Sequence, residues 1–257
     1  MNWKLILLLM TMAAQARAQS PFLRQSDART MTPETIMGER KDWGAELSMG
    51  GNLNRGNVDI NYFSSGFSVY KAWKPLTAYL SGSMAYNAFG GRRVLNQGSL
   101  TARVDRRVSG PWKIFAFNTN AYNEFLRLDQ RTTVGAGPWY DLAAGPTRHG
   151  LSLALTQVHE RFKGGIVENA AFLSLRSLSR IPISQTAELR GDFYYCPKIK
   201  DSADYLAYAE VSLNSLIWKD VLGLRVAWIN EYDSRPKPGV RSTDIMWLTS
   251  LTLRFGK

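Results

Sequence analysis

Residues 243–255 read TDIMWLTSLTLRF, and their alternation decides the architecture. Ile245, Trp247, Thr249, Leu251, Leu253 and Phe255 fall on one side of an extended chain, while Asp244, Ser250, Thr252 and Arg254 fall on the other. Successive side chains of a strand point to opposite faces, so this segment offers one greasy face and one polar face. The same texture recurs upstream. Leu222, Leu224, Val226 and Trp228 alternate with Gly223, Arg225 and Ala227. Ile183, Ala187, Leu189, Phe193 and Tyr195 alternate with Ser184, Thr186, Glu188, Arg190 and Asp192, and Leu76, Ala78, Leu80 and Met84 stand against Thr77, Tyr79, Ser81 and Ser83.

Period-two segments separated by Gly, Pro, Asn, Asp and Lys clusters are the mark of antiparallel strands joined by hairpins. From Trp43 onward they predict strands at 43–53, 56–71, 75–89, 93–107, 111–125, 127–142, 148–163, 165–180, 182–196, 203–218, 220–234 and 241–255. The implied fold is all-β: a closed antiparallel up-and-down transmembrane β-barrel of about 12 strands, within the even-numbered bacterial series. Proline-bearing turns at 71–75, 109–112, 143–148 and 180–182, with a further turn at 218–220, make one rim, which also carries Trp73, Trp112 and Trp218. Indole rings favour a membrane interface. The opposite rim is made by 52–56, 90–93, the Phe125 region, 163–165, 197–204 and 235–241, none long enough to fold inward as a substantial plug.

A chain of 257 residues fits one such barrel as a single domain. The start predicts a signal peptide over 1–18: Lys4, an apolar run from Leu5 to Met10, then Ala16-Arg17-Ala18. A polar periplasmic segment follows at 19–42, and the barrel takes 43–257. Past the leader no stretch approaches the roughly 20 apolar residues of a spanning helix. The single cysteine, Cys196, closes no intramolecular disulfide and reads as a passive residue at a strand end beside Pro197. Formal charge is +11, less two once Lys4 and Arg17 leave with the leader. Export argues against nucleic acid and favours outer-membrane lipid and lipopolysaccharide as partners, with small solutes as cargo, although basic residues scattered at strand ends give the same total.

If the apolar set faces lipid, the opposite parity turns Arg103, Asp105, Arg107, Glu188, Arg190, Asp192, Arg225 and Arg254 toward the lumen. Near the strand ends opposite the termini, Arg127, Asp129, Arg131, Glu231, Asp233 and Asp244 form a candidate charged constriction for small solutes. The alternative is a structural ladder in which these charges satisfy one another. An enzymatic reading starts from His149 and Ser152, but residues three apart on a strand face opposite ways, so no catalytic pair is nominated within it. Two histidines and one cysteine give no zinc cluster, and Asn52, Asn54, Asn57 and Asp59 lack the EF-hand spacing, so no cofactor is expected. A lipid-modifying hydrolase and a soluble periplasmic β-protein binding an anionic ligand stay open as alternatives.

Asn230-Glu231-Tyr232-Asp233-Ser234-Arg235-Pro236, then Gly239 and Thr243-Asp244, resemble the C-terminal signature of the uncharacterised barrel family described as salt-induced outer-membrane proteins. Gly51-Asn52 with Gly56-Asn57, and Leu128-Asp129-Gln130-Arg131 leading into Gly135-Ala136-Gly137, add to the match. The resemblance implies an outer-membrane barrel associated with envelope or osmotic stress. It supplies no substrate and no catalytic residue.

Overall fold

Alternation along the chain becomes the two faces of a wall. The computed structural model describes residues 42–54, 60–89, 92–124, 127–218, 221–236 and 242–256. Its strands are β1 (Trp43–Asn54), β2 (Ile60–Trp73), β3 (Leu76–Phe89), β4 (Arg92–Ser109), β5 (Trp112–Asn123), β6 (Leu128–Ala144), β7 (Thr147–Phe162), β8 (Val167–Pro182), β9 (Ala187–Lys198), β10 (Asp201–Trp218), β11 (Leu222–Asp233) and β12 (Thr243–Gly256). Each pairs antiparallel with its chain neighbour, and β1 closes on β12 with Gly44 opposite Gly256 and Met49 opposite Leu251. The barrel therefore has 12 strands, as the turn pattern predicts, and closure leaves no edge strand. The expected leader at 1–18 and, except for Asp42, the polar segment at 19–42 lie outside the described residues. So do the tips of the 52–56, 90–93, 125 and 235–241 connections.

The rim where β1 begins and β12 ends is built from tight turns. Gly110-Pro111 and Gly145-Pro146 carry their glycines at φ 51° and 61°, in the left-handed region where a side chain would strain the backbone. Ser184 caps the β8–β9 connection, its Oγ accepting the N–H groups of Thr186 at 3.2 Å and Ala187 at 3.0 Å. Pro111 and Pro146 stand between strands, where lacking an N–H loses no ladder hydrogen bond.

Outward positions are apolar and exposed: Val104 on β4, Ile114 on β5, Leu151, Leu153 and Leu155 on β7, and Leu251 and Leu253 on β12. Trp43, Trp73, Trp112 and Trp218 point outward along the terminal rim, where Trp112 meets Tyr140 edge-on with centroids 4.8 Å apart. Toward the far rim come Phe63, Tyr86, Tyr122 and Tyr195, the last continuing through Tyr205 to Tyr232. An apolar belt on this scale, bordered by aromatic rings at both ends, is stable only against lipid.

The interior is built of apolar bodies as well as charges. It is not uniformly polar, because Tyr70, Tyr79, Phe115, Phe117, Trp139 and Leu178 form a buried apolar cluster toward one wall, and Val158, Phe172, Tyr194, Cys196, Leu206, Tyr208 and Ile229 form another. The lumen of a small barrel must be filled by side chains, and apolar bodies do that as well as charges do. Trp139 shows how closely: its ring lies over Gly150, where a Cβ would fall 1.9 Å from Cζ2, so only glycine leaves room for the indole. Cys196 is likewise buried in the second cluster, its Sγ 3.5 Å from Ser174 Oγ.

Candidate functional site: the charged lumen

Between the apolar clusters, the inward positions carry charge in ordered sets. In the terminal half, both Arg180 and Arg190 bond to Glu188, with Arg190 Nε donating to Oε1 at 2.7 Å. Arg254 of β12 comes within 3.9 Å of the same carboxylate while its Nε stands 3.4 Å from Glu46 on β1. In the wall β9 and β12 are separated by β10 and β11, so the Glu188–Arg254 contact is a chord across the interior. Arg225 of β11 extends the group by bonding Glu210 of β10, whose other oxygen accepts Tyr208 Oη–H at 2.7 Å. This is a waist made of guanidinium and carboxylate groups, not of loops.

Two further pairs have fork geometry, in which parallel N–H···O bonds fix both direction and partner. Arg176 donates to Asp192 at 2.9 and 2.8 Å and lies 4.7 Å over the Tyr194 ring. Arg103 donates to Asp105 at 2.6 and 3.1 Å with its guanidinium 4.1 Å over Phe115 and 5.4 Å from Trp139. Beside it Asp141 accepts from Lys113 Nζ at 2.7 Å and from Trp139 Nε1–H at 2.5 Å.

Toward the far rim the inward charges again include both signs. Arg131 bonds Glu160, with Nε–Oε1 at 2.7 Å, and Lys198 pairs with Asp204 at 2.9 Å. Glu168 stands directly opposite Glu160 in the β7–β8 register, and Glu231 and Asp233 are buried on β11. A cavity of about 360 Å³ opens among Val158, Glu160, Glu168, Ala170, Phe172 and Lys198. Among the described residues, Glu160, Glu168, Glu231 and Asp233 are inward acids of this half, and Arg180, Arg190, Arg225 and Arg254 are arginines of the waist.

Residues 47–255, nearly the whole barrel, match the family described as "Protein of unknown function, DUF481". The chain belongs to this family. Among solved structures, the DUF481 barrel is similar to the NanC porin, with 8% identity, TM-score 0.53 and coverage of 82% of this chain and 98% of that one. It is also similar to the KdgM porin, again at 8% identity, with TM-score 0.50 and coverage of 83% and 99%. Identity this low shows the fold alone, a closed antiparallel β-barrel. No protein with a curated description matches in sequence. The closed antiparallel barrel implied by the family resemblance is thus the fold of this chain.

The DUF481 barrel distributes the sequence-predicted constriction over its circumference. Arg131 on β6 and Glu231 and Asp233 on β11 are buried and inward, but the strand order puts β6 and β11 on opposite walls. Arg127 and Asp129 are exposed at the β5–β6 turn, where Arg127 takes φ 55° and the register slips between Leu128 and Gln130. The Asp244 side chain lies outside the described residues. Arg107, expected inside, is exposed at the end of β4, its Nη1 donating to the Gly110 carbonyl at 2.9 Å. Sequence reasoning missed Glu46, Lys113, Asp141, Glu160, Arg176, Arg180 and Glu210. Parity could have found Glu160, on one face with Val158 and Phe162, but Lys113 precedes a run that is apolar on both faces.

His149 finds its serine on the next strand: Nδ1 is 2.9 Å from Ser179 Oγ, both on the outward face. Beyond the far rim of the DUF481 barrel, Arg235 Nη1 donates to Asp201 Oδ2 at 2.5 Å, joining the start of β10 to the β11–β12 connection. That hydrogen bond, helped by the Ala203 N–H, holds the Asp201 carboxyl below the usual carboxylate range. A depressed folded pKa gives a contribution that is complete above the unfolded value of about 3.9 and fades as pH falls through the folded one. A carboxyl NMR titration should place the Asp201 midpoint below about 3.9, and Arg235→Gln should move it upward. An unshifted midpoint in the parent protein would show that the clasp does not hold in solution.

Proposed function

We propose that this protein is a narrow solute channel of the outer membrane, with passage governed by the charges of its lumen. The observation that carries this reading is the Glu188–Arg254 chord, which narrows the interior with side chains that water and ions can displace. Bacterial barrels keep their short turns in the periplasm, which orients the terminal rim inward and the far rim toward the medium. A solute entering from outside would meet Glu168, Glu231 and Asp233 before the arginines of the waist. Small polar solutes are the class such a sequence of fields admits. The association with envelope or osmotic stress rests on the family resemblance.

Reconstitution in planar bilayers tests the channel. Stepwise conductance is expected, Arg254→Ala should raise it by removing the chord, and Asp233→Asn should move the reversal potential toward anion preference. Electrically silent protein at high applied voltage would end the proposal.

The His149–Ser179 hydrogen bond favours a second reading, a lipid-modifying hydrolase at the terminal rim. Phospholipid hydrolysis by the purified protein, abolished by His149→Ala and by Ser179→Ala, would replace the channel with this reading.

A further inference from the structure

One sector of the outward wall departs from the apolar belt. On β5, Trp112 and Tyr122 are about as far apart as the roughly 9 to 11 residues a tilted strand needs to cross the hydrocarbon. Between them Asn118 and Asn120 point outward. Beside Asn120, in direct register, come Thr132 on β6, His159 on β7 and Asn169 on β8. In the other direction the same row continues with Leu100 on β4 and reaches Phe67 on β2, so the polarity is local to β5–β8.

These side chains form a ladder. Thr132 Oγ1 donates to Asn120 Oδ1 at 2.9 Å, Asn120 Nδ2 to Asn118 Oδ1 at 2.7 Å, and Gln130 Nε2 to Thr132 Oγ1 at 3.4 Å. His159 Nδ1 lies 2.8 Å from Asn169 Oδ1. Above the ladder, at the far rim, Arg127, Arg161 and Lys163 are exposed, with Asp129 the carboxylate beside them. The Lys163 N–H donates to the Arg127 carbonyl at 2.7 Å, which sets two of these cations side by side.

Amides facing acyl chains are costly unless something polar meets them. We infer that this sector binds the phosphorylated, acylated headgroup of lipopolysaccharide in the outer leaflet. The cations stand at phosphate level, and the amide ladder descends from them to the depth where ester, amide and hydroxyl groups root the acyl chains. Charge selects this occupant over a second copy of the chain, because a two-fold pair through β5–β8 would set one cationic rim against another. The inference goes beyond the channel and depends only on the membrane setting, since the Asn118–Asn120–Thr132 ladder and the three cations lie on the outward face or at the rim.

Fluorescent lipid A titrated into the full-length protein in nonionic detergent provides the test. The triple variant Arg127→Gln/Arg161→Gln/Lys163→Gln should bind roughly 100-fold more weakly, at about tenfold or less per cation, and should lose any preference for bisphosphorylated over dephosphorylated lipid A. Parent binding should weaken at 1 M salt, where the Debye length falls to about 3 Å. If the triple variant does not fold, as judged by heat-modifiable gel mobility, Arg161→Gln alone should still weaken binding severalfold. Equal affinity in parent and folded variant, or efficient disulfide-linked pairing of Asn120→Cys in outer membranes, would overturn the inference, the latter in favour of a second copy. Conductance should be unchanged in Arg161→Gln, so a silent channel and a failed lipid site give separable results.

Discussion

Arg103→Met is expected to destabilise the barrel by about 3 to 5 kcal/mol. The two side chains of the Arg103–Asp105 pair are 0% and 3% exposed, and the guanidinium is enclosed by Phe115 and Trp139. Methionine replaces most of the volume, so the loss measures a stranded carboxylate and not a cavity. The double variant Arg103→Met/Asp105→Leu should recover most of it, because removing both charges also removes the desolvation penalty. Urea titration of protein refolded into bilayers would read both effects. A single-variant loss below about 1 kcal/mol would mean that water reaches the pair and screens it as on a surface.

Leu153→Arg, on the outward face of β7, should cost about 2 to 4 kcal/mol, the penalty for a guanidinium near the bilayer midplane. Leu153 is 40% exposed and flanked on its face by Leu151 and Leu155, so the change opens no packed core. Its cost would come from taking charge into hydrocarbon. Leu153→Ala serves as the reference, and the difference between the two variants isolates the charge. Equal stabilities would show that this wall does not face lipid, and the transmembrane assignment would fall with it.

The architecture was legible because one face of most strands is predominantly apolar. In 243–255 and 187–196 the parity of a residue states its side of the wall, and Glu188, Arg190 and Asp192 fall inward as that parity requires. Where both faces are apolar the signal disappears. Ile114 and Ala116 face out while Phe115 and Phe117 face in, and nothing in their chemistry distinguishes the two sets. The candidate constriction was less legible for a geometric reason. Parity gives inside or outside, and distance from a turn gives depth, but neither gives position around the circumference. Arg131 and Glu231 share side and depth, yet stand on opposite walls. The Glu188–Arg254 chord depends on the tilt of the strands and on side-chain reach across the interior, which no local pattern encodes.

Pairing of Gly44 through Met49 with Gly256 through Leu251 ties the beginning of the cylinder to its finish. Until β12 has emerged, β1 and β11 each present an open row of amides that acyl chains cannot satisfy. Insertion and completion of the chain are consequently coupled, and a protein truncated before Thr243 would leave two sticky margins where the complete one has none.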